Sequence, residues 1–104
     1  MAFHDLALIR TDDEGQALTL RLLASSEDGY ALLCETMSAQ HLEEALYTLG
    51  IESIQRTETP GILALHFAIQ GQPAQGTQRS DWIASIEGTF GVLLRGLKHR
   101  MSIG

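Results

Sequence analysis

The side chains that most often perform chemistry are few in this chain and widely separated. They are one cysteine and four histidines, at His4, Cys34, His41, His66 and His99. A nucleophilic cysteine needs a base and an orienting group beside it. Cys34 instead follows two leucines in a run that we interpret as a strand, where a small buried thiol packs without reacting. We therefore predict no catalytic residues and no enzymatic activity.

His41 and Glu44 form the one pair with metal-ligand spacing, since residues three apart share a helix face. Two ligands do not complete a site. The acidic run Asp12-Asp13-Glu14 lacks the alternating ligands and the distant glutamate of a calcium loop, and we interpret it as a solvated turn. No phosphate-binding loop, dinucleotide fingerprint or nucleophile elbow occurs. The sequence thus predicts neither a metal nor a cofactor.

The charge of the chain is negative and unevenly distributed. The 104 residues carry a formal net charge of −6, and eleven of the thirteen acidic residues lie in residues 1–60 together with three arginines. Residues 61–104 hold four basic and two acidic residues. Because nucleic-acid binding depends on neutralising phosphates, an acidic chain is not expected to bind nucleic acid. Solubility is the simplest consequence of this charge.

Neither a membrane span nor a secretion signal is expected. The longest uncharged apolar runs, such as Ile62–Leu65 and Val92–Leu94, are far shorter than the roughly 20 residues of a membrane helix. The first residues lack the basic start and apolar core of a signal peptide. A single cysteine cannot form an internal disulfide, which fits a reducing compartment. We expect a cytoplasmic protein with no membrane association.

The first third of the chain is predicted to form strands. Leucines alternate with polar or small residues in two segments, which is the period of half-buried strands. These leucines are Leu6, Leu8, Leu18, Leu20 and Leu22. Gly15 can adopt the positive φ of the reversal between them. After a second reversal at 25–29, Tyr30–Thr36 is interpreted as a third strand, with an early start of the next helix as the alternative.

A helix is predicted from Ser38 to Gly50. Ser38 can cap free backbone N–H groups, and Met37 before it has the spacing to pack on Leu42. Its apolar stripe consists of Leu42, Ala45, Leu46 and Leu49. Gly50 supplies the left-handed residue that ends many helices.

A hairpin and a long helix complete the chain. Strands are predicted at Ile51–Glu58 and Ile62–Gln70, joined by a type II turn in which Gly61 takes the positive φ. Residues 71–79 are predicted to be a flexible connection, and a helix follows from Ser80. Its core-facing stripe consists of Trp82, Ile83, Ile86, Phe90, Leu93, Leu94, Leu97 and Met101.

Each glycine in this last helix lowers the stability of the helix by about 1 kcal/mol relative to alanine. Glycines are therefore unexpected within its helical pattern. Gly88 and Gly91 are predicted to lie away from the apolar stripe, on one face with Ala84 and Arg95. That smooth face is a candidate contact for a second copy or another partner. The alternative is that the helix is kinked or broken near Gly88.

These elements predict a single α+β domain over residues 1–104, with an antiparallel sheet of about five strands and two helices in the order βββ-α-ββ-α. This order is similar to that of the acidic chaperones of bacterial type III secretion. Their usual first helix is absent here and none of their motifs occurs, so the likeness concerns element order alone.

Six acidic residues can form one surface if the first helix and the hairpin lie together. They are Asp28, Glu35, Glu43, Glu44, Glu52 and Glu58. Such a surface can steer a basic partner. Among them, Glu43 and Glu44 are candidate partner-binding residues, together with those of the last helix.

A non-enzymatic protein-interaction module, acting as an adaptor, chaperone or inhibitor and forming a homodimer, fits these patterns best. A small-ligand-sensing regulatory domain is the first alternative, since such α+β sheets can bind metabolites at a dimer seam. A small enzyme with dispersed acid–base residues is the second.

Overall fold

The computed structural model describes residues 6–15 and 17–103, with the backbone alone for 98–103. Its strands are β1 (Ala7–Asp13), β2 (Ala17–Ala24), β3 (Ile51–Thr59) and β4 (Ala64–Gly71). Its α-helices are α1 (Glu27–Thr36), α2 (Ala39–Ala45) and α3 (Arg79–Ile103), with short 3₁₀ segments at Tyr47–Leu49 and Pro60–Ile62. The α+β class and the antiparallel sheet are confirmed.

The four strands form one antiparallel sheet in the order β1-β2-β4-β3. In its centre Leu18, Leu20 and Leu22 of β2 lie opposite Ile69, Phe67 and Leu65 of β4. Residues directly opposite each other in antiparallel strands point to the same side. All six side chains are fully buried, so they define the inner face of the sheet.

All three helices contribute to the core on this inner face. Leu33 of α1, Leu42 of α2 and Phe90 of α3 belong to the same buried cluster as the central strand residues. The Phe67 and Phe90 rings meet at 5.5 Å between centroids in a tilted arrangement, a geometry that aromatic pairs favour. The inner face is therefore the protein's hydrophobic core.

The expected third strand at residues 30–36 is wrong, because this segment belongs to α1. The hydroxyl of Ser26 accepts a hydrogen bond from the Gly29 N–H at 3.0 Å, and Glu27 and Asp28 in the first turn suit the helix dipole. Tyr30 and Leu33 are buried, at a helical spacing. The sheet consequently has four strands instead of about five, and there are three helices instead of two.

The helical segment predicted from Ser38 to Gly50 has the expected residues at its two ends, but only Ala39–Ala45 is regular α-helix, and Ala45 of the predicted apolar stripe is exposed. The Ser38 hydroxyl accepts a hydrogen bond from the His41 N–H at 3.1 Å. Regular α-helix ends at Ala45, a 3₁₀ segment continues to Leu49, and Gly50 has the expected left-handed conformation with φ of 77°.

The type II turn predicted at Pro60-Gly61 is wrong. Proline opens a 3₁₀ segment here, and Leu63 is the residue with positive φ, at 54°. The strand after it therefore begins at Ala64 and not at Ile62. Leu8 also differs from expectation, since Ala7 and Ile9 are the buried residues of β1 and Leu8 is half-buried on the other side.

The last helix is continuous from Arg79 to Ile103, so its glycines do not break it. Trp82, Ile86, Phe90, Leu94 and Leu97 are buried as the apolar stripe predicted. Met101 lies beyond the residues whose side chains the structure describes.

Two glycines allow two backbone segments to approach closely where β4 ends beside the start of β3. A Cβ on Gly71 would lie 2.3 Å from the carbonyl oxygen of Gly50 and 2.9 Å from the Cα of Ile51. A Cβ on Gly50 would lie 2.3 Å from the carbonyl oxygen of Gln72. The Gln72 N–H donates to the Gly50 carbonyl at 3.2 Å, so this contact fixes the end of β4 against the start of β3.

We expect Gly71→Ala to lower the free energy of unfolding by at least about 2 kcal/mol, because the added methyl group collides with backbone atoms. Gly61→Ala is the matched control, since a Cβ there meets no atom within 4 Å. Urea unfolding followed by circular dichroism measures both. Equal free energies of unfolding for the two variants would show that the backbone around Gly71 shifts to admit the methyl group without a loss of stability.

Candidate functional site

The side of the sheet opposite the core is its open face. Its residues are Leu8, Arg10 and Asp12 of β1; Ala17, Thr19, Arg21 and Leu23 of β2; Ala64, His66, Ala68 and Gln70 of β4; and Ser53, Gln55, Thr57 and Thr59 of β3. Only Ala64 among them is buried. Within the part of the chain that the structure describes, no helix covers this face, an arrangement that antiparallel sheets tolerate when the face is polar.

An apolar row crosses one end of the open face. Leu8 lies opposite Leu23, and Leu23 lies opposite Ala64. Both leucines are half-buried, so part of each side chain stays in contact with solvent. The row offers a partner the exposed parts of Leu8 and Leu23, which lie on two neighbouring strands.

The next row of the open face carries positive charge. Arg10 lies opposite Arg21, and Arg21 lies opposite His66. Like charges directly opposite each other destabilise a sheet. Asp12 partly compensates, since its carboxylate accepts a hydrogen bond from Arg21 Nη2 at 2.9 Å.

On α3, the predicted small-residue face is exposed at Ala84, Gly88 and Arg95, whereas Gly91 is buried. Val92 takes its place in the exposed stripe, with 61% of its surface accessible. A Cβ at Gly88 would meet no atom within 4 Å. The structure thus leaves a shallow, nearly smooth surface on the outside of α3.

The two candidate glutamates of α2 have different surroundings. Glu43 is half-buried, and its carboxylate accepts a hydrogen bond from the backbone N–H of Ile54 in the edge strand β3 at 3.1 Å. Glu44 is exposed. Both line a shallow depression of about 430 Å³ with Gln40 and Tyr47. Glu43 therefore holds α2 to the sheet, whatever else it binds.

Arg56 of β3 attaches the carbonyl end of α1 to the sheet. This residue lies on the inner face of β3, where its Nη1 donates to the carbonyl oxygens of Cys34 at 2.9 Å and Met37 at 3.3 Å. Its Nη2 also pairs with the carboxylate of Glu58. A cation at the carbonyl end of a helix is favourable, so Arg56 is already committed to the fold.

A polar cleft of about 580 Å³ lies beside the start of α3, and Glu52, Gln72 and Arg79 are among its lining residues. Arg79 Nε donates to both carboxylate oxygens of Asp13 at 2.8 and 2.9 Å. A hydrogen bond from the Gly15 N–H, followed by this arginine, lowers the pKa of Asp13 below its ordinary value. The cleft's arginine is thus already paired within the chain.

The residues considered for chemistry do not converge in the part of the chain that the structure describes. Cys34 is half-buried on α1 and not in a strand. Its neighbour Tyr30 has a raised pKa, chiefly because of burial and secondarily because of the Cys34 thiol. His41 is exposed and His66 is half-buried on the open face. His4 and the His99 side chain lie outside the described residues.

No metal centre emerges from these positions. Among the described residues, no group of three or more histidine, cysteine, aspartate or glutamate side chains is placed to hold a metal ion. The His41 and Glu44 pair lacks a third ligand accordingly.

No protein-family model matches this chain, and no curated protein sequence matches it significantly. Among the described helices, none combines the length and the apolar character that crossing a bilayer requires. The site must therefore be interpreted from its own geometry.

The basic row is the feature that sequence patterns missed. His66 lies between two buried residues of β4 and Arg21 between two buried residues of β2, and Arg10 follows the buried Ile9. That alternation predicts an outward direction for each residue separately. Alternation alone does not show which strands are neighbours, because that depends on strand pairing and register.

We expect Glu43→Ala to lower the free energy of unfolding by about 1–2 kcal/mol, because the Ile54 N–H loses its charged acceptor. Glu44→Ala is the control and should change stability by less than about 0.5 kcal/mol. Chemical denaturation measures both variants. A stable Glu43→Ala variant would mean that solvent replaces this hydrogen bond without loss.

Proposed function

We propose that this protein is a non-enzymatic protein-interaction module, an adaptor, chaperone or inhibitor that works as a cytoplasmic homodimer and binds a protein partner through the open face of its sheet. The observation that supports this most directly is the distribution of the helices. All three pack on the inner face, and the open face keeps an apolar row beside polar and charged residues.

The open face has the properties of a partner surface and not of a reaction site. It is flat and spans all four strands, so it suits a broad contact better than an enclosed small molecule. Leu8 and Leu23 supply apolar area, and charged residues border them. Apolar area next to polar and charged residues is common in protein interfaces.

The homodimer proposal rests on the outside of α3. Ala84, Gly88 and Val92 are spaced by four residues, so they form one exposed line along the helix. Small side chains allow two helices to approach closely, and Val92 supplies apolar contact. This line is separate from the open face, which leaves a dimer free to bind partners.

A small-ligand-sensing domain is the second candidate, and the cleft beside Arg79 favours it. Its volume of about 580 Å³ is within the range of small-molecule sites. Its lining is mostly polar, however, and Arg79 is engaged by Asp13. We rank this reading second for that reason.

The partner proposal is tested by capture of the tagged chain from its native cell, followed by reconstitution with the purified partner. We expect a stoichiometric complex that Leu8→Gln with Leu23→Gln weakens at least tenfold, because the variant removes the apolar row. Ala74→Gln, in the exposed segment before α3, should bind like the unchanged chain.

A partner that binds the double variant normally would place the interface elsewhere on the molecule. If no partner is found and a metabolite raises the melting temperature instead, the sensing domain becomes the better interpretation. Turnover abolished by a substitution at His41, His66 or Cys34 would favour the enzyme.

The dimer proposal is tested with Gly88→Ala and Val92→Glu. Gly88→Ala should raise helix stability by about 1 kcal/mol, since the glycine lies in an exposed helix interior. We expect self-association, measured by analytical ultracentrifugation, to weaken in both variants while each remains folded. Unchanged association, or a monomeric unchanged chain, would remove α3 as the dimer contact.

A further inference from the structure

The uneven use of positive charge in this acidic chain singles out the open face. Five arginines have described side chains. Arg56 contacts Glu58 and helix carbonyls, and Arg79 contacts Asp13. Arg10 is exposed, and in the described part of the chain it forms no ion pair. On the sheet, Arg21 pairs with Asp12, whereas Arg10 is the arginine of the described strands without an ion pair; Arg95 is exposed on α3, away from the sheet.

Arg10, Arg21 and His66 form one continuous row across β1, β2 and β4. This row lies next to the apolar row of Leu8 and Leu23 on the same face. Asp12 pairs with Arg21, whose side chain is 32% exposed, which leaves Arg10 without a carboxylate among the described residues. Placing two arginines opposite each other costs stability, and among the described residues Asp12 is the one carboxylate that pairs with either of them.

We propose that the basic row receives an acidic segment of a protein partner, with carboxylates on Arg10 and Arg21 and an apolar side chain on Leu8 and Leu23. This inference rests on the proposed function and adds the chemistry of the partner. Arginine suits carboxylates because its planar donors can bind both oxygens. Charge complementarity next to an apolar strip fits an amphipathic acidic segment.

The same features argue against nucleic acid as the occupant. The chain has a net charge of −6, which opposes the approach of a phosphate backbone. The described residues of the open face also include no phenylalanine, tyrosine or tryptophan on which a base could stack, and His66 is its one ring. The net charge opposes an acidic peptide as well, but a segment with a few carboxylates carries fewer negative charges than a nucleic acid of the same length.

The test uses the full chain and three fluorescein-labelled probes. The first is a 14-residue amphipathic peptide with leucines on one face and glutamates on its borders. The second has glutamine at each glutamate, and the third is a 14-nucleotide single-stranded DNA. Fluorescence anisotropy measures each Kd at low and at physiological salt.

We expect the glutamate peptide to bind at least tenfold more tightly than the glutamine peptide, with a difference that shrinks as salt screens the charges. Arg10→Gln should weaken the glutamate peptide at least fivefold. Gln75→Glu changes the net charge equally at an exposed position away from the sheet, and should weaken it less than twofold.

Equal binding of the two peptides, equal effects of Arg10→Gln and Gln75→Glu, absence of peptide binding, or tighter binding of the DNA would each overturn the inference. One result separates a failure of this inference from a failure of the proposed function. A native partner that loses binding with the two leucine variants but not with Arg10→Gln would leave the module standing and remove the acidic segment.

Discussion

The pairing of β2 with β4 is the contact on which the rest of the molecule depends. Leu20 lies opposite Phe67 in the middle of this pair, and the inner residues before and after them along the two strands, Leu18, Leu22, Leu65 and Ile69, are apolar and fully buried. Burying a leucine or phenylalanine side chain stabilises a fold by about 1.5–3 kcal/mol. Three helices are therefore drawn to the same face, and their placement leaves the opposite face uncovered.

Polar contacts then attach each helix to a particular strand. Glu43 bonds the backbone of β3, Arg56 bonds the carbonyl end of α1, and the Thr11 hydroxyl donates to Glu87 of α3 at 2.7 Å. Glu43 also occupies an N–H of an edge strand, and unpaired edges invite unwanted strand addition. Glu43, Arg56 and Glu87 are thus used within the fold, whereas Arg10 is displayed on the open face without an ion pair among the described residues.

Local sequence signals predicted the elements whose ends are determined by residues close to one another in the chain. Ser38 and Gly50 marked the ends of their helical segment correctly, because capping requires one side chain or one backbone conformation. α1 was missed because Tyr30–Thr36 is apolar enough to suit either structure, although Ser26 before two acidic residues was a capping signal. The turn at Pro60 was misjudged because Gly61 allows a positive φ without requiring it.

The sequence alone determined the α+β class, both ends of the Ser38–Gly50 segment and the buried stripe of α3, since periodicity and capping act over a few residues. Only the tertiary structure decided the strand order, the sharing of the core by all helices, and the row of Arg10, Arg21 and His66. Residues distant in the chain become neighbours through strand register, and register is set by the burial of whole faces. The open face, which we propose binds a partner, is therefore a feature that only the tertiary structure decided.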